Sequence, residues 1–422
     1  MTPADQMGHR RAIEALRSGV PNRDAVEALG CSQVEIEQRF REQLERATDD
    51  AAKGQMTPGM IVKGGFGSGK SHLFEYLQHM AVSQNFICSK VVISKETPLY
   101  DPVKVYRSAI EAAIVPDKRG AALTEIAMKL NFNSRDYLDL YQWVHRPGGQ
   151  LNARFAAMLF LYQRMSNDPE LRDRIIRFWS GEQIGLADVK RYLRAAREPA
   201  TYRIDKIPVR DLALQRFKFA ARLMLAAGYA GWVILFDEVE LVGRYSLTQR
   251  ARSYAEMARW MGKLEGWHAT GLTCVLALTD DFQAAILSEK EDLEKVPARM
   301  RAKGTELDLL IASQAERGMK LIEREGIALK PLDDAAIAVT REKVRAIHAA
   351  AYNWSPPTLR AEETLRTTRM REHVKGWITE WDLRRLYPDY EVHLATEELK
   401  QDYGEDPNLT RSAEGEQDEG SE

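Results

Sequence analysis

Cysteine is scarce in this chain: Cys31, Cys88 and Cys274 are the only three in 422 residues, odd in number and far apart. They cannot form a disulfide framework or a zinc site with ligand spacing, and the expected compartment is a reducing cytoplasm. The eight histidines are equally scattered, with no close pair to suggest a metal site or a nucleophilic dyad. No apolar run approaches the roughly 18 residues of a membrane span. Met1 to Arg11 is too polar for a signal-peptide core, so no membrane association is expected. Tandem repeats are absent as well. A strong charge of either sign is also lacking, since the net value is −2. From Gly404 onward seven carboxylates face Arg411 alone, a local −6 that leaves +4 on the rest of the chain. That excess is too small to imply nucleic-acid binding by itself.

What the chain does have is a glycine-rich run, Gly64-Gly65-Phe66-Gly67-Ser68-Gly69-Lys70-Ser71. It fits the phosphate-cradling template of a glycine, any four residues, then Gly-Lys-Ser/Thr. Glycines let successive backbone N–H groups point into one concavity and approach an anion closely. Lys70 is placed to reach β and γ phosphates, and Ser71 to offer its hydroxyl to Mg²⁺ at the positive end of a helix. Met60-Ile61-Val62 reads as a buried strand before the loop. Leu73, Leu77 and Met80 repeat at helical spacing after it. A strand, a loop and a helix in that order are what the motif requires.

A second stretch completes the chemistry. Trp232-Val233-Ile234-Leu235-Phe236 is apolar throughout, as in a strand buried on both faces, and it ends in Asp237-Glu238. With a phosphate loop upstream, Asp237 is the candidate Mg²⁺ ligand and Glu238 the candidate base for the attacking water. A further strand, Thr273 to Leu278, makes Thr279 the candidate γ-phosphate sensor. Arg244, Arg299 and Arg301 compete for the role of an arginine that completes a neighbour's site, which would require a homo-oligomer.

The remaining chain reads as follows. Ser32 and Glu35 suit a capping box for a helix carrying Ile36, Phe40 and Leu44, a preface placed to lie over the adenine side. Phe86 to Ile93 is a β-branched strand, and Glu306-Leu307-Asp308-Leu309 alternates like a short fifth one. From Val115 to Val209 strand signals vanish, which predicts an all-helical insertion. There Arg172, Arg174, Arg177, Lys190, Arg191, Arg194 and Arg197 alternate with Phe178, Trp179 and Tyr192, a mixture that could track a nucleic-acid backbone. Intervening Glu170, Asp173 and Asp188 favour ordinary solvated helix faces instead. The predicted regions are 1–58, N-terminal helices; 59–114 and 211–325, two parts of an ATPase core; 115–210, the insertion; 326–403, a helical or winged-helix-like region; and 404–422, a disordered acidic tail.

Several stretches together resemble one family: Ala12 to Arg23, Gly64 to His72, Phe236 to Glu240, Gly243-Arg244-Tyr245-Ser246, and Glu380 to Pro388. They are similar to the BrxD-like ATP-binding proteins of BREX bacteriophage-defence systems, over nearly the whole chain except the tail. The resemblance implies a P-loop ATPase of the AAA+ or origin-recognition-like sort, acting with other BREX proteins encoded by a defence operon. It matches Asp237 and Glu238 to the family's Mg²⁺ and catalytic carboxylates, and carries over no arginine finger. The expected fold is α/β, a three-layer P-loop NTPase (AAA+/ASCE-type) core with a parallel sheet, a large helical insertion and a helical C-terminal region.

The expected ligands are ATP and Mg²⁺, held by Gly64, Gly65, Phe66, Gly67, Ser68, Gly69, Lys70, Ser71, His72 and Asp237, with metal contacts from Ser71 and Asp237. The leading reading is ATP hydrolysis through Lys70, Glu238 and Thr279, driving assembly or engagement of DNA or partner proteins. The rival is an ATP-controlled adaptor that grips DNA or a partner without turnover. A small-molecule kinase is disfavoured by the Asp-Glu strand end and the helical insertion.

Overall fold

The computed structural model describes residues 3–19, 22–65, 67–118, 120–165, 167–198, 201–330, 333–359, 370–387 and 403–406. Three helices open the chain: α1 (Pro3–Ser18), α2 (Arg23–Leu29) and α3 (Val34–Ala52). A six-stranded sheet follows, built from β1 (Met60–Lys63), β2 (Phe86–Val92), β3 (Ala113–Ile114), β4 (Gly231–Asp237), β5 (Leu272–Leu278) and β6 (Gly326–Ala328). Its spatial order is β3-β2-β4-β5-β1-β6. Every neighbouring pair is parallel except β2 with the two-residue β3.

Parallel strands joined by helices are covered on both faces, so their side chains alternate between two cores. Ile61, Ile87, Trp232, Ile234, Phe236, Cys274 and Leu276 enter the larger one. Val62, Cys88, Val233, Leu235, Val275 and Ala277 enter the other, against Phe40 and Leu44 of α3 and Phe74 and Leu77 of α4 (Lys70–Ser83). The buried Trp232 indole donates to Ser89 Oγ at 2.8 Å, so its one polar atom is satisfied within the sheet.

Between β3 and β4 the chain forms α6 (Ala122–Met128), α7 (Arg135–Val144), α8 (Ala153–Arg164), α9 (Pro169–Ser180), α10 (Leu186–Ala195) and α11 (Val209–Ala226), following α5 (Pro102–Glu111). Phe178 and Trp179 turn into the core. Arg174 and Arg191 pair with Asp188, and Arg177 pairs with Asp173. Charge pairing and inward aromatics thus account for these members of the basic and aromatic mixture.

Two local expectations fail. Residues 306–309 are not a strand but the start of α14 (Glu306–Glu325), whose first turn is capped by the Thr305 hydroxyl accepting from the Asp308 N–H. Ala312, Ala315, Met319 and Ile322 then bury one helical face, and that outweighs the alternation of a single turn. The strand that flanks β1 on the side away from β5 is instead β6, three residues long. Nor does Ser32 cap α3. The N-cap is Gln33, whose side chain instead exchanges hydrogen bonds with the Lys330 backbone, 297 positions away.

The two ends of the chain share a third core. Ile13 and Leu16 of α1 pack with Val344 of α15 (Asp334–Tyr352) and with Trp377 and Trp381 of α16 (Met370–Leu386). Asp382 ties them together by accepting from Arg17 and from His348. His348 Nδ1 accepts from the Trp354 indole at 2.8 Å, which leaves Nε2 as the donor to Asp382. The final sixteen residues, 407–422, lie outside the described set, so the predicted tail, 404–422, is described only at 404–406.

Candidate functional site

β1 ends at Lys63, and the Gly64 N–H donates to Leu278 O at 3.0 Å, anchoring the loop to the end of β5. Gly67 (φ +78°) and Gly69 (φ +101°) take left-handed conformations that a side chain would oppose. A Cβ on Gly64 would lie 2.8 Å from Ser68 Oγ and 3.1 Å from Leu329 Cδ1. The loop therefore needs glycine for two reasons, backbone twist and space. Helix α4 starts at Lys70, and its first-turn N–H groups have no intrahelical acceptors. Ser68 Oγ is buried without a partner. Phe66 lies outside the described residues.

Lys70 is buried, and its ammonium donates to Gly64 O at 2.7 Å. The nearest carboxylate is Glu240, 3.7 Å away and itself only 4% exposed. Glu240 Oε2 has no hydrogen-bond partner. Its burial, only partly offset by Lys70, raises its pKa above the usual carboxylate range.

Asp237 is the last residue of β4, buried at 4% exposure, and its Oδ1 accepts the Glu238 N–H at 3.0 Å. Lys90 Nζ stands 3.9 Å from its other oxygen. Glu238 turns outward on a left-handed backbone with φ +57°, a conformation that costs on the order of 1 kcal/mol or more and is held only by its surroundings. Partial burial and the neighbouring Asp237 charge raise the Glu238 pKa, while Lys70, Lys90 and Arg371 oppose the rise.

These groups meet in one cavity of about 440 Å³. Its lining includes Gly67, Ser68, Gly69, Lys70, Ser71 and His72 from the loop and α4, and Asp237, Glu238 and Glu240 from the end of β4. An apolar wall of Leu29, Leu329, Val339 and Val374 faces them. Gly64, Gly65 and Thr279 are not part of that lining. The buried Thr279 hydroxyl lies 2.6 Å from Tyr403 Oη. His72 Nε2 sits 3.0 Å from Gly30 O, and burial lowers its pKa, so the neutral ring donates to that carbonyl.

Of the three arginines weighed, Arg244 binds Asp406 at 3.1 Å and Arg301 binds Glu316 at 2.6 Å, while Arg299 is exposed on α13 (Asp292–Lys303). Four charged groups escaped the sequence reading: Lys90, Glu240, Lys343 and Arg371. Lys90 is the one charge in the otherwise apolar or small β2, and Glu240 follows Glu238 by two positions, so both carried a local signal. Lys343 and Arg371 come from α15 and α16 and reach the cavity only through tertiary packing.

Residues 6–133 and 147–378 match the model of a family described as BREX system ATP-binding protein BrxC/D. No curated protein matches the chain.

Proposed function

The chain belongs to the BREX system ATP-binding proteins BrxC/D, and from that premise we propose that it is a Mg²⁺-dependent ATPase of the AAA+ class, acting in BREX defence by nucleotide-driven assembly or engagement of DNA and partner proteins. One observation carries this reading. The loop at 67–71 and the acidic strand end at 237–240 lie far apart in the chain yet line a single cavity. The sheet order supports it too, since β5 lies between the loop strand β1 and the acidic strand β4.

In this reading Lys70 exchanges the Gly64 carbonyl for phosphate oxygens, and the free N–H groups of α4 face the same anion. The apolar wall receives the base. Ser71 and Asp237 present a hydroxyl and a carboxylate, hard oxygen donors of the kind Mg²⁺ takes. Among the described residues no three His, Cys, Asp or Glu side chains form a cage of their own, which suits an ion that arrives with the triphosphate. When bound, Mg²⁺ would neutralise charge on the phosphates. Glu238 takes the proton of the attacking water, and its raised pKa makes it a stronger base than an ordinary carboxylate.

The switch-like alternative is favoured by a specific feature: Arg244, the arginine nearest the acidic strand end in sequence, is held by Asp406. Phosphate release by wild type, Lys70→Ala and Glu238→Gln, each with and without duplex DNA, separates the two readings. Glu238→Gln should bind ATP yet lose roughly 10²- to 10⁴-fold in turnover. ATP binding by the wild type with negligible turnover under every condition would reject the ATPase and leave the adaptor.

A further inference from the structure

Residues 403–406 reach the end of β5 from a distant part of the chain. Tyr403 Oη donates to Asp281 Oδ1 at 2.8 Å and lies 2.6 Å from Thr279 Oγ1. Lys290, which also donates to Gly243 O at 3.1 Å, holds the Tyr403 carbonyl. Glu405 accepts from Arg250 at 3.0 Å. Asp406 pairs with Arg244 through its side chain at 3.1 Å and donates its N–H to Arg244 O at 3.2 Å. Four segments around the end of β5 are thus held by three residues of this stretch, Tyr403, Glu405 and Asp406.

A phenol and a threonine hydroxyl each carry one proton, and a carboxylate only accepts. With the Tyr403 proton given to Asp281, the Thr279 proton must go to Tyr403 Oη. Burial, joined by the Asp281 and Glu240 carboxylates and opposed by Thr279, raises the Tyr403 pKa and keeps the phenol protonated. A phosphate oxygen also only accepts, so Thr279 cannot serve Tyr403 and a γ-phosphate with the same hydrogen.

We propose that the 403–406 segment is an intramolecular clasp in which Tyr403 competes with the terminal phosphate of ATP for the Thr279 hydroxyl, so that a triphosphate, but not a diphosphate, loosens the segment and frees Arg244. The inference rests on the nucleotide-site reading above and on the sequence expectation that Thr279, next to the Leu278 carbonyl that anchors the loop, contacts the γ-phosphate; it adds the control of that contact. Tyr403 acts through Thr279 and is a positioning residue.

The test is calorimetric titration of the full chain with Mg²⁺ and either a non-hydrolysable ATP analogue or ADP. Tyr403→Phe should raise the ratio of ADP to ATP-analogue Kd by about tenfold, the scale of one hydrogen bond to a charged acceptor. The gain should vanish when Thr279→Val is added. A purely structural contact would lower the melting temperature and leave the ratio unchanged, and that result overturns the clasp. So does a gain that persists in the double variant. Hydrogen exchange of the wild type gives an independent check: the Asp406 amide should exchange faster with the ATP analogue than with ADP, and equal protection refutes the proposal. Wild-type protein that binds neither nucleotide would overturn the site itself, and the clasp with it.

Discussion

Replacing Glu240 with glutamine removes a charge that is almost wholly buried and stands 3.7 Å from the Lys70 ammonium. At that separation two unit charges attract by about 4–5 kcal/mol at an effective dielectric near 20. Taking the carboxylate out of water costs several kcal/mol, and burial is the first cause of the raised Glu240 pKa. Burial outweighs the attraction of Lys70, whose ammonium also donates to Gly64 O at 2.7 Å.

A triphosphate adds to the imbalance, because Glu240 then competes for Lys70 and repels the anion. Relief of about 1.4 kcal/mol of that opposition corresponds to roughly tenfold tighter ATP binding, measurable by calorimetric titration. The pH dependence has a definite sign. With its pKa raised on folding, Glu240 binds its proton more tightly in the folded than in the unfolded state. Stability present below about pH 4 is therefore withdrawn as pH rises through the folded pKa. Glutamine has no such loss, so the melting temperature of Glu240→Gln should gain on the wild type between pH 4.5 and 7.5. Weaker ATP binding by the variant, or a difference that shrinks as pH rises, would refute the reasoning.

Two further outcomes concern the loop and the joined termini. Gly69→Ala meets no heavy atom within 4 Å but must hold φ near +101°, so it should cost about 1–2 kcal/mol in urea denaturation; a neutral substitution would contradict that geometry. Burial opposes ionisation of Asp382, but His348 and Arg17 outweigh it and hold its pKa below the ordinary value. Its contribution is present above about pH 3.9 and lost as pH falls through the folded pKa. Asp382→Asn should cost about 1–3 kcal/mol at pH 7 and flatten the acid limb of the melting profile; an unchanged acid limb would show that Asp382 does not set it.

The amino-acid sequence alone determined the parts whose physics is local. Glycines at a forced left-handed turn, a lysine at a helix start, and an apolar strand ending in two carboxylates are legible wherever they occur, because backbone twist and two-sided burial restrict the residues allowed there. The short run at 306–309 misled because four alternating residues suit either element, and the Thr305 cap and the apolar face beyond decided for helix. Which distant groups meet was left to tertiary structure. Nothing local tells Gln33 that Lys330 will stand beside it, brings Ile13 against Trp381, or sends Tyr403 to Thr279. Such contacts depend on how whole faces pack, and periodicity within a segment records only that a face is buried, not against what.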